Sequence, residues 1–435
     1  MFPLSLRREA VRPWLVTTWA LTAALGLTSC GLGGGDESGG ATVLTIQHSG
    51  VPSEPFSGPL KAAIKQFEKD NPDIDIQEKV VDVEDSPQVY ETSLTAGDPA
   101  EIVMINLYGK PTRWMENQAT LPVTDYLDEW GLTDDLKAEA VEQWTGKSGD
   151  IQAFPYFGFA WPVFYNTAML QEAGVEAVPQ TSEELLDASQ KLEAAGLGGV
   201  AVGGRDWSGN KFFWQTIQAY IPPDEMRDLY MNGGWAEDPN VRKGVDLFTA
   251  LRDAGVFIDS AEGQTVDAMY AAFNKESAAI MSAGSWAFEG TPDDVVKTTQ
   301  LSGLPMPEDS VYDKPTVYAG YTSLGFWLSP TAEEKIDAVE KFIKFMYQPE
   351  TFAPFIEEGG YLPPLEDAKF DVEKVHPLLR EVVEGEYEGK VELAVLADTF
   401  VPPDTLSATE RATSLAFSPG TSTDEIIEAL GAAYQ

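Results

Sequence analysis

The sequence predicts an α/β protein built as two lobes, and three observations carry that prediction. Short β-rich apolar runs alternate with helical periodicity from residue 42 onward, as strands joined by helical crossovers do. The alternation begins afresh with new material around Trp161. No Gly/Ser/Pro-rich linker separates the halves after residue 41, so ordered crossing strands are expected to join the lobes. With 435 residues, 43% apolar and 11% aromatic, the chain can fill substantial cores.

The elements follow in order. Thr42-Val43-Leu44-Thr45-Ile46 reads as a buried strand, followed by a polar Gly/Pro loop over 48–59. Leu60, Ile64 and Phe67 recur at helical spacing until Asn71-Pro72 stops the helix. Ile74, Ile76, Val80 and Val81 make a second strand, Tyr90 and Leu94 mark a helix ending at Ala96-Gly97, and 101–106 returns as a strand. This alternation predicts a mostly parallel sheet. The second set has a strand over 161–165, a helix over 182–195, a strand over 200–202 and helical stretches at 212–220 and 241–254.

The N-terminus reads as an address. Arg7, Arg8 and Arg12 precede an apolar run over 14–27, too short to span a bilayer. Glu9 and Ala10 stand where a twin-arginine signal has apolar residues, so the pair reads as ordinary leader charge. The run ends at Leu27-Thr28-Ser29-Cys30, which resembles a bacterial lipobox, with Cys30 as the lipidated new N-terminus; it is the sole cysteine. A lone cysteine leaves no partner for a disulfide or zinc site. The leader is assigned to 1–29 and a Gly-rich flexible tether to 30–41. Lipid at Cys30 would hold the protein on the outer face of the bacterial cell membrane.

The formal charge of −41 argues against nucleic acid and anionic membrane surfaces as partners. The carboxylates are dispersed over solvent-facing positions such as Asp125, Asp128 and Glu129, a hydrated surface suited to a salty habitat. Enzyme signatures are scarce: Gly320-Tyr321-Thr322-Ser323-Leu324-Gly325 misses the nucleophile elbow by one residue, and no phosphate loop or dinucleotide fingerprint follows a strand. His48 and His376 lie far apart without ligand-spaced neighbours, so neither a metal nor a cofactor is expected.

Aromatic residues instead gather in loops and strand ends: Tyr156, Phe157, Phe159 and Trp161 after Pro155, Trp207 after Asp206, Trp286 after Gly284-Ser285, and Tyr318 and Tyr321 flanking Gly320. Trp214 and Tyr165, at apolar positions of regular structure, read as core. A sugar presents an apolar C–H face and a hydroxyl rim, which rings and polar side chains can bury together. Asp98, Asn106, His48, Glu54, Asp206 and Arg205 are candidates for the rim. Arg113 and Arg205 are the only arginines near these loops, which disfavours phosphate or sulfate.

In order along the chain, several segments carry a family likeness. They are Phe67-Glu68-Lys69-Asp70-Asn71-Pro72, Ala96-Gly97-Asp98-Pro99-Ala100-Glu101-Ile102-Val103, Phe164-Tyr165-Asn166-Thr167 with Ala173-Gly174-Val175 and Pro179-Gln180-Thr181, the run from Ala272 through Met281 into Gly284-Ser285-Trp286, and Gly359-Gly360-Tyr361-Leu362-Pro363. Residues 41–435 thereby resemble the family 1 extracellular solute-binding proteins of maltose-binding type. The resemblance implies a type II periplasmic-binding-protein fold, with a ligand cleft between lobes joined by three hinge crossings near 157–162, 318–324 and 362–368. Lobe 1 is then 42–157 plus 322–365 and lobe 2 is 158–321 plus 366–435. It places cleft positions at 48–54, Asn106 to Tyr108, Phe159, Trp161 and Trp286. Asn106 stands where the maltose-binding type often has an aromatic, and Phe159 where it has an acid, which leaves the sugar's identity open.

The implied role is capture of a sugar or oligosaccharide by a monomeric lipoprotein, with the closed form docking on the permease of an ABC importer. A polyamine, peptide or other small solute is the alternative ligand. A secreted glycan-acting enzyme with paired carboxylates is the rival from another class.

Overall fold

A computed structural model describes residues 41–52, 54–383 and 389–435. The leader 1–29, Cys30 and the tether up to residue 40 lie outside the described residues. The elements used below are β1 (Thr42–His48), α1 (Ser57–Asp70), β2 (Ile74–Val80), α2 (Ser86–Ala96), β3 (Ile102–Ile105), β4 (Phe154–Trp161), β5 (Val163–Asn166), α3 (Ser182–Ala194), β6 (Val200–Ala201), α4 (Trp207–Ile217), α5 (Pro239–Asp253), α6 (Val266–Asn274), β7 (Ile280–Ser282), β8 (Thr299–Ser302), β9 (Thr316–Leu328), α7 (Ile336–Met346), β10 (Glu392–Leu393), α8 (Pro403–Ala416) and α9 (Thr423–Ala432).

Two sheets organise two lobes. The first runs β10-β9-β3-β1-β2 with β4 paired to β9, and the second runs β6-β7-β5-β8. In the first, β1 pairs in parallel with β2 and β3, while β9 runs antiparallel to both β3 and β4. The first sheet is therefore mixed rather than mostly parallel, because long strand β9 returns through it against its direction, and the second is mixed because β5 runs antiparallel to β7 and β8 while β6 and β7 are parallel. The first unit forms as its pattern dictates. Leu44 and Ile46 of β1 are wholly buried, α1 turns Leu60, Ile64 and Phe67 inward, and Phe67 meets Phe342 of α7 edge-on at 5.2 Å. Each such side chain contributes about 1.5–3 kcal/mol by leaving water. Gly97 ends α2 in the left-handed region at φ 79°, where a side chain would be strained.

The expected strand over 161–165 is two strands. Pro162 lacks an N–H and cannot continue a ladder, so β4 ends at Trp161 in the first sheet and β5 starts at Val163 in the second. Helix α4 starts at Trp207, ahead of the expected 212, because the side chain of Asp206 accepts from the Ser208 amide and caps it.

Three chain segments meet at the junction. β4 and β9 run side by side from Phe154↔Phe326 in the first lobe to Trp161↔Tyr318. Leu362 exchanges both backbone hydrogen bonds with Gly158, at 2.7 and 2.9 Å. A Cβ on Gly158 would come within 2.6 Å of a Tyr321 ring carbon and 2.9 Å of the Gly320 carbonyl, so only glycine permits this approach. The third segment stays against first-lobe elements beyond the expected 362–368: Glu366 donates to the Asp135 carbonyl, Asp371 to Glu357, and only at His376 does the chain stack on Phe288. The Lys137 amide donates to the Pro364 carbonyl and holds that segment back.

One core surrounds the first sheet and continues across the junction to Phe164, Phe273 and Phe288. A second, with Tyr165, Phe213, Trp214, Trp235 and Phe248, fills the space among α4, α5, α8 and α9. Between them lies a small cluster of Phe159, Trp161, Tyr318 and Ala394, with Trp207 and Trp286 packed against it.

Candidate ligand cleft

A cavity of about 970 Å³ opens where the lobes face each other, and both lobes and the crossing strands line it. Its size is that of a small-molecule site. The first lobe supplies Glu54, Glu84, Asn106 and Tyr108; β4 supplies Phe159 and Trp161. The second supplies Trp207, Lys211 and Trp286, with Glu410 and Arg411 from α8.

One wall is aromatic. Trp286 is half-buried and lies 5.6 Å from Trp161, 6.0 Å from Phe159 and 6.4 Å from both Trp207 and Tyr361, ring centre to ring centre. Its ring folds back over Gly284, where a Cβ would sit 2.5 Å from the indole. Its N–H donates to the Tyr270 hydroxyl of α6 at 3.1 Å, which fixes the ring plane. Trp161 has no exposed surface and donates to Ser282 Oγ at 2.9 Å, so it backs the wall while Trp286 and Trp207 face the opening. Asp206 uses both carboxylate oxygens within the protein: Oδ1 accepts from the Ser208 amide and hydroxyl at 3.0 and 2.6 Å, and Oδ2 from the Val266 amide at 2.7 Å. It sets the start of α4 and thereby the place of Trp207.

The polar side is acidic with embedded cations. Tyr108 donates its hydroxyl hydrogen to Glu410, and Lys211 pairs with Asp398. Burial raises the Glu410 carboxyl above its usual range, with Asp398 and Glu84 adding to this and the Tyr108 hydrogen bond and Lys211 opposing it. Burial likewise raises Glu54, reinforced by Asp82 and Asp267. Asn106, at the end of β3, has no hydrogen-bond partner for its side-chain amide among the described residues, which leaves two donors and an acceptor for a ligand.

Of the sequence-predicted positions, Glu54, Asn106, Tyr108, Phe159, Trp161, Asp206, Trp207 and Trp286 share this cavity, as does Arg205. Five do not line it. His48 is buried at the end of β1, its Nδ1 accepting from the Gly50 amide and its Nε2 3.2 Å from Glu78; burial lowers its pKa against the raising effect of Glu78. Asp98 is exposed in the loop after α2. Tyr156 is wholly buried among Phe157, Phe326, Phe352 and Phe355, with its hydroxyl 3.2 Å from the Met346 carbonyl. Tyr318 lies beneath the cavity floor and donates to the Lys211 carbonyl at 3.2 Å. Tyr321 receives Lys137 Nζ at 3.2 Å and packs beside Gly158. Register shifts on either side of Phe157 interrupt the simple alternation along β4, so Tyr156 and Phe157 both enter the first core. Cys30 lies outside the described residues.

Sequence reasoning missed Lys211, Asp398, Glu410 and Arg411. In sequence Glu410-Arg411 reads as a solvated helix face, and no local pattern links it to Tyr108. Tyr361 carried a signal in Gly359-Gly360-Tyr361, where Gly360 has φ 71° and lies against Ser285 and Trp286. Among the described residues no group of three or more His, Cys, Asp or Glu could hold a metal ion, and no helix is long and apolar enough to cross a membrane.

The sequence profile of the bacterial extracellular solute-binding proteins matches residues 53–351. A probable secreted solute-binding lipoprotein from Streptomyces coelicolor is 39% identical, with a TM-score of 0.78 over 90% of this chain and 98% of its own. A chitin oligosaccharide binding protein, 22% identical, superposes with a TM-score of 0.78 over 91% and 98% of the two chains. The sn-glycerol-3-phosphate-binding periplasmic protein UgpB of Shigella flexneri serotype 5b (strain 8401) is 24% identical over 323 residues, 69% of each chain.

Proposed function

The chain belongs to the bacterial extracellular solute-binding protein family, and from that premise we propose that it captures a carbohydrate in the interlobe cleft and delivers it to the permease of an ABC importer. The observation that carries this reading is the half-buried pair Trp286 and Trp207 facing a 970 Å³ cavity opposite Asn106 and Glu54. Ring faces cover the C–H surface of a sugar while amide and carboxylate groups take its hydroxyls. Ligand contacts made to both lobes favour the closed form over the open one, and the permease reads that difference. The lobes move as bodies hinged at Gly158, Gly320 and the third segment.

A phosphate ester such as the ligand named for UgpB fits less well. Of the cavity cations, Lys110 pairs with Glu91 and Lys211 with Asp398, and Arg205 and Arg411 share the lining with Glu54, Glu84, Asp206, Asp398 and Glu410, so five carboxylates face four cations. Lipidation at Cys30 belongs to the same proposal, supported by the sole cysteine after Leu27-Thr28-Ser29 and by the description of the Streptomyces coelicolor relative. Release of a Cys30→Ser variant from the membrane fraction tests it.

The ligand test is calorimetric titration with mono- and oligosaccharides, sn-glycerol 3-phosphate and polyamines. Saturable binding of a saccharide is expected. Binding of the phosphate ester or polyamines alone would replace the ligand class, and glycan turnover would overturn the binding role.

A further inference from the structure

Helix α8 touches the opposite lobe at three places that bypass the crossing strands. The Tyr108 hydroxyl donates to Glu410. Arg113 Nη1 lies 2.6 Å from Asp404 Oδ2. Gly109, at φ 63°, lies so close to Leu406 that a Cβ there would be 3.0 Å from its methyl group. Each partner is anchored in its own lobe. The segment 107–114 is tied to the first sheet by the Leu107 amide, which donates to the Thr322 carbonyl at 3.0 Å, and by buried Trp114, whose N–H reaches Glu91 at 3.1 Å. α8 is tied to the second core by buried Ala412 and Ala416 and by the Thr413 hydroxyl, which donates to Asn210. Leu406 and Glu410, four residues apart, present one face of α8 to the segment.

We propose that α8 and the segment from Tyr108 to Arg113 form a clasp that holds the two lobes together through protein contacts alone, so that the resting balance between open and closed forms is set partly outside the ligand. The Tyr108–Glu410 arm is the stronger one, because a hydrogen bond to a largely buried carboxylate is charge-assisted. The Arg113–Asp404 arm is exposed, weak and screened by salt. Tyr108 is therefore a positioning residue whose hydroxyl is committed to Glu410. Losing the clasp shifts the lobes toward the open form, and apparent affinity falls by the factor by which the closed fraction falls, since only the closed form makes the full ligand contacts.

The test uses the full chain without any ligand, with spin labels on exposed Lys61 of the first lobe and Glu225 of the second, and reads their distance distribution. Tyr108→Phe with Arg113→Gln keeps the ring and most of the bulk. The ratio of open to closed forms is expected to rise severalfold, up to roughly tenfold, the worth of one charge-assisted hydrogen bond. An unchanged distribution in the double variant overturns the clasp. Arg113→Gln alone, at a residue outside the cavity lining, gives a smaller shift in the same direction that high salt reproduces in the parent chain. Should the double variant fail to fold, Tyr108→Phe alone carries the test, and an unchanged distribution in it overturns the clasp. Neither readout requires the ligand to be a sugar.

Discussion

The indole N–H of Trp286 is held by the hydroxyl of Tyr270 at 3.1 Å, so a ring that lines the cleft is fixed by a helix whose own residues do not line the cavity. Trp286→Ala is expected to weaken ligand binding by about 10- to 100-fold, since one stacked ring and its buried area are lost. Tyr270→Phe should cost a few-fold at most, because the wall remains but its tilt is freed. Titration calorimetry on both variants checks the order, and equal losses would place the ligand against Tyr270 itself.

Asp206 was attractive as a hydroxyl acceptor in the sequence, yet both its oxygens are occupied by Ser208 and Val266. Asp206→Ala is therefore expected to lower stability by about 0.5–2 kcal/mol through loss of the helix cap, with affinity falling only as far as Trp207 shifts. Denaturant unfolding beside titration separates the two. A large affinity loss at unchanged stability would make Asp206 a ligand group.

Gly158 makes the crossing a place where backbones touch. Gly158→Ala puts a methyl group 2.6 Å from the Tyr321 ring and 2.9 Å from a carbonyl oxygen, so the strands must part. A destabilisation of about 1–3 kcal/mol is expected, with a changed interlobe distance in scattering. An unaltered melting temperature would mean that Tyr321 swings aside freely.

The units over 42–106 were legible because period and stop signals agreed: Leu60, Ile64 and Phe67 define the buried face of α1, and Gly97 takes the left-handed turn its position demands. The geometry puts Trp286 at the cavity, as its place after Gly284-Ser285 had suggested, on a short 3-10 turn over Ser285–Gly290. What could not be read was partition along the crossing strands. Tyr156 and Phe159 sit on one strand, but one enters the first core and the other the cleft wall, a choice made by how β4 lies between β9 and residue 362. The Tyr108–Glu410 contact joins residues 302 positions apart, and only the folded arrangement of α8 brings them together.

Tyr156 separates these two fates experimentally. Tyr156→Phe removes a hydroxyl bonded to the Met346 carbonyl and should cost about 1 kcal/mol of stability with ligand affinity unchanged. Tyr156→Ala empties a site walled by four phenylalanines and is expected to cost about 3–5 kcal/mol. Chemical denaturation gives both values. Reduced affinity in the well-folded Phe variant would return Tyr156 to the cleft.

His376 gives the fold an acid-sensitive point. Its ring stacks on Phe288 at 5.7 Å and 19°, and burial lowers its pKa from 6.5 to about 4, with Asp293 opposing and Arg380 adding to the shift. The unfolded chain thus takes up a proton near pH 6.5 that the folded chain refuses until about pH 4. The stability from keeping this ring neutral is complete above pH 6.5 and is lost as pH falls through that window, by about 1–2 kcal/mol after allowance for solvent screening at a partly exposed ring. His376→Asn retains an acceptor for the Leu378 amide that Nδ1 now receives at 3.3 Å, and does not titrate. Melting temperatures of parent and variant at pH 7, 5.5 and 4.5 should converge as the pH falls, because the parent loses stability faster. Parallel curves would mean that the imidazole charges without leaving Phe288.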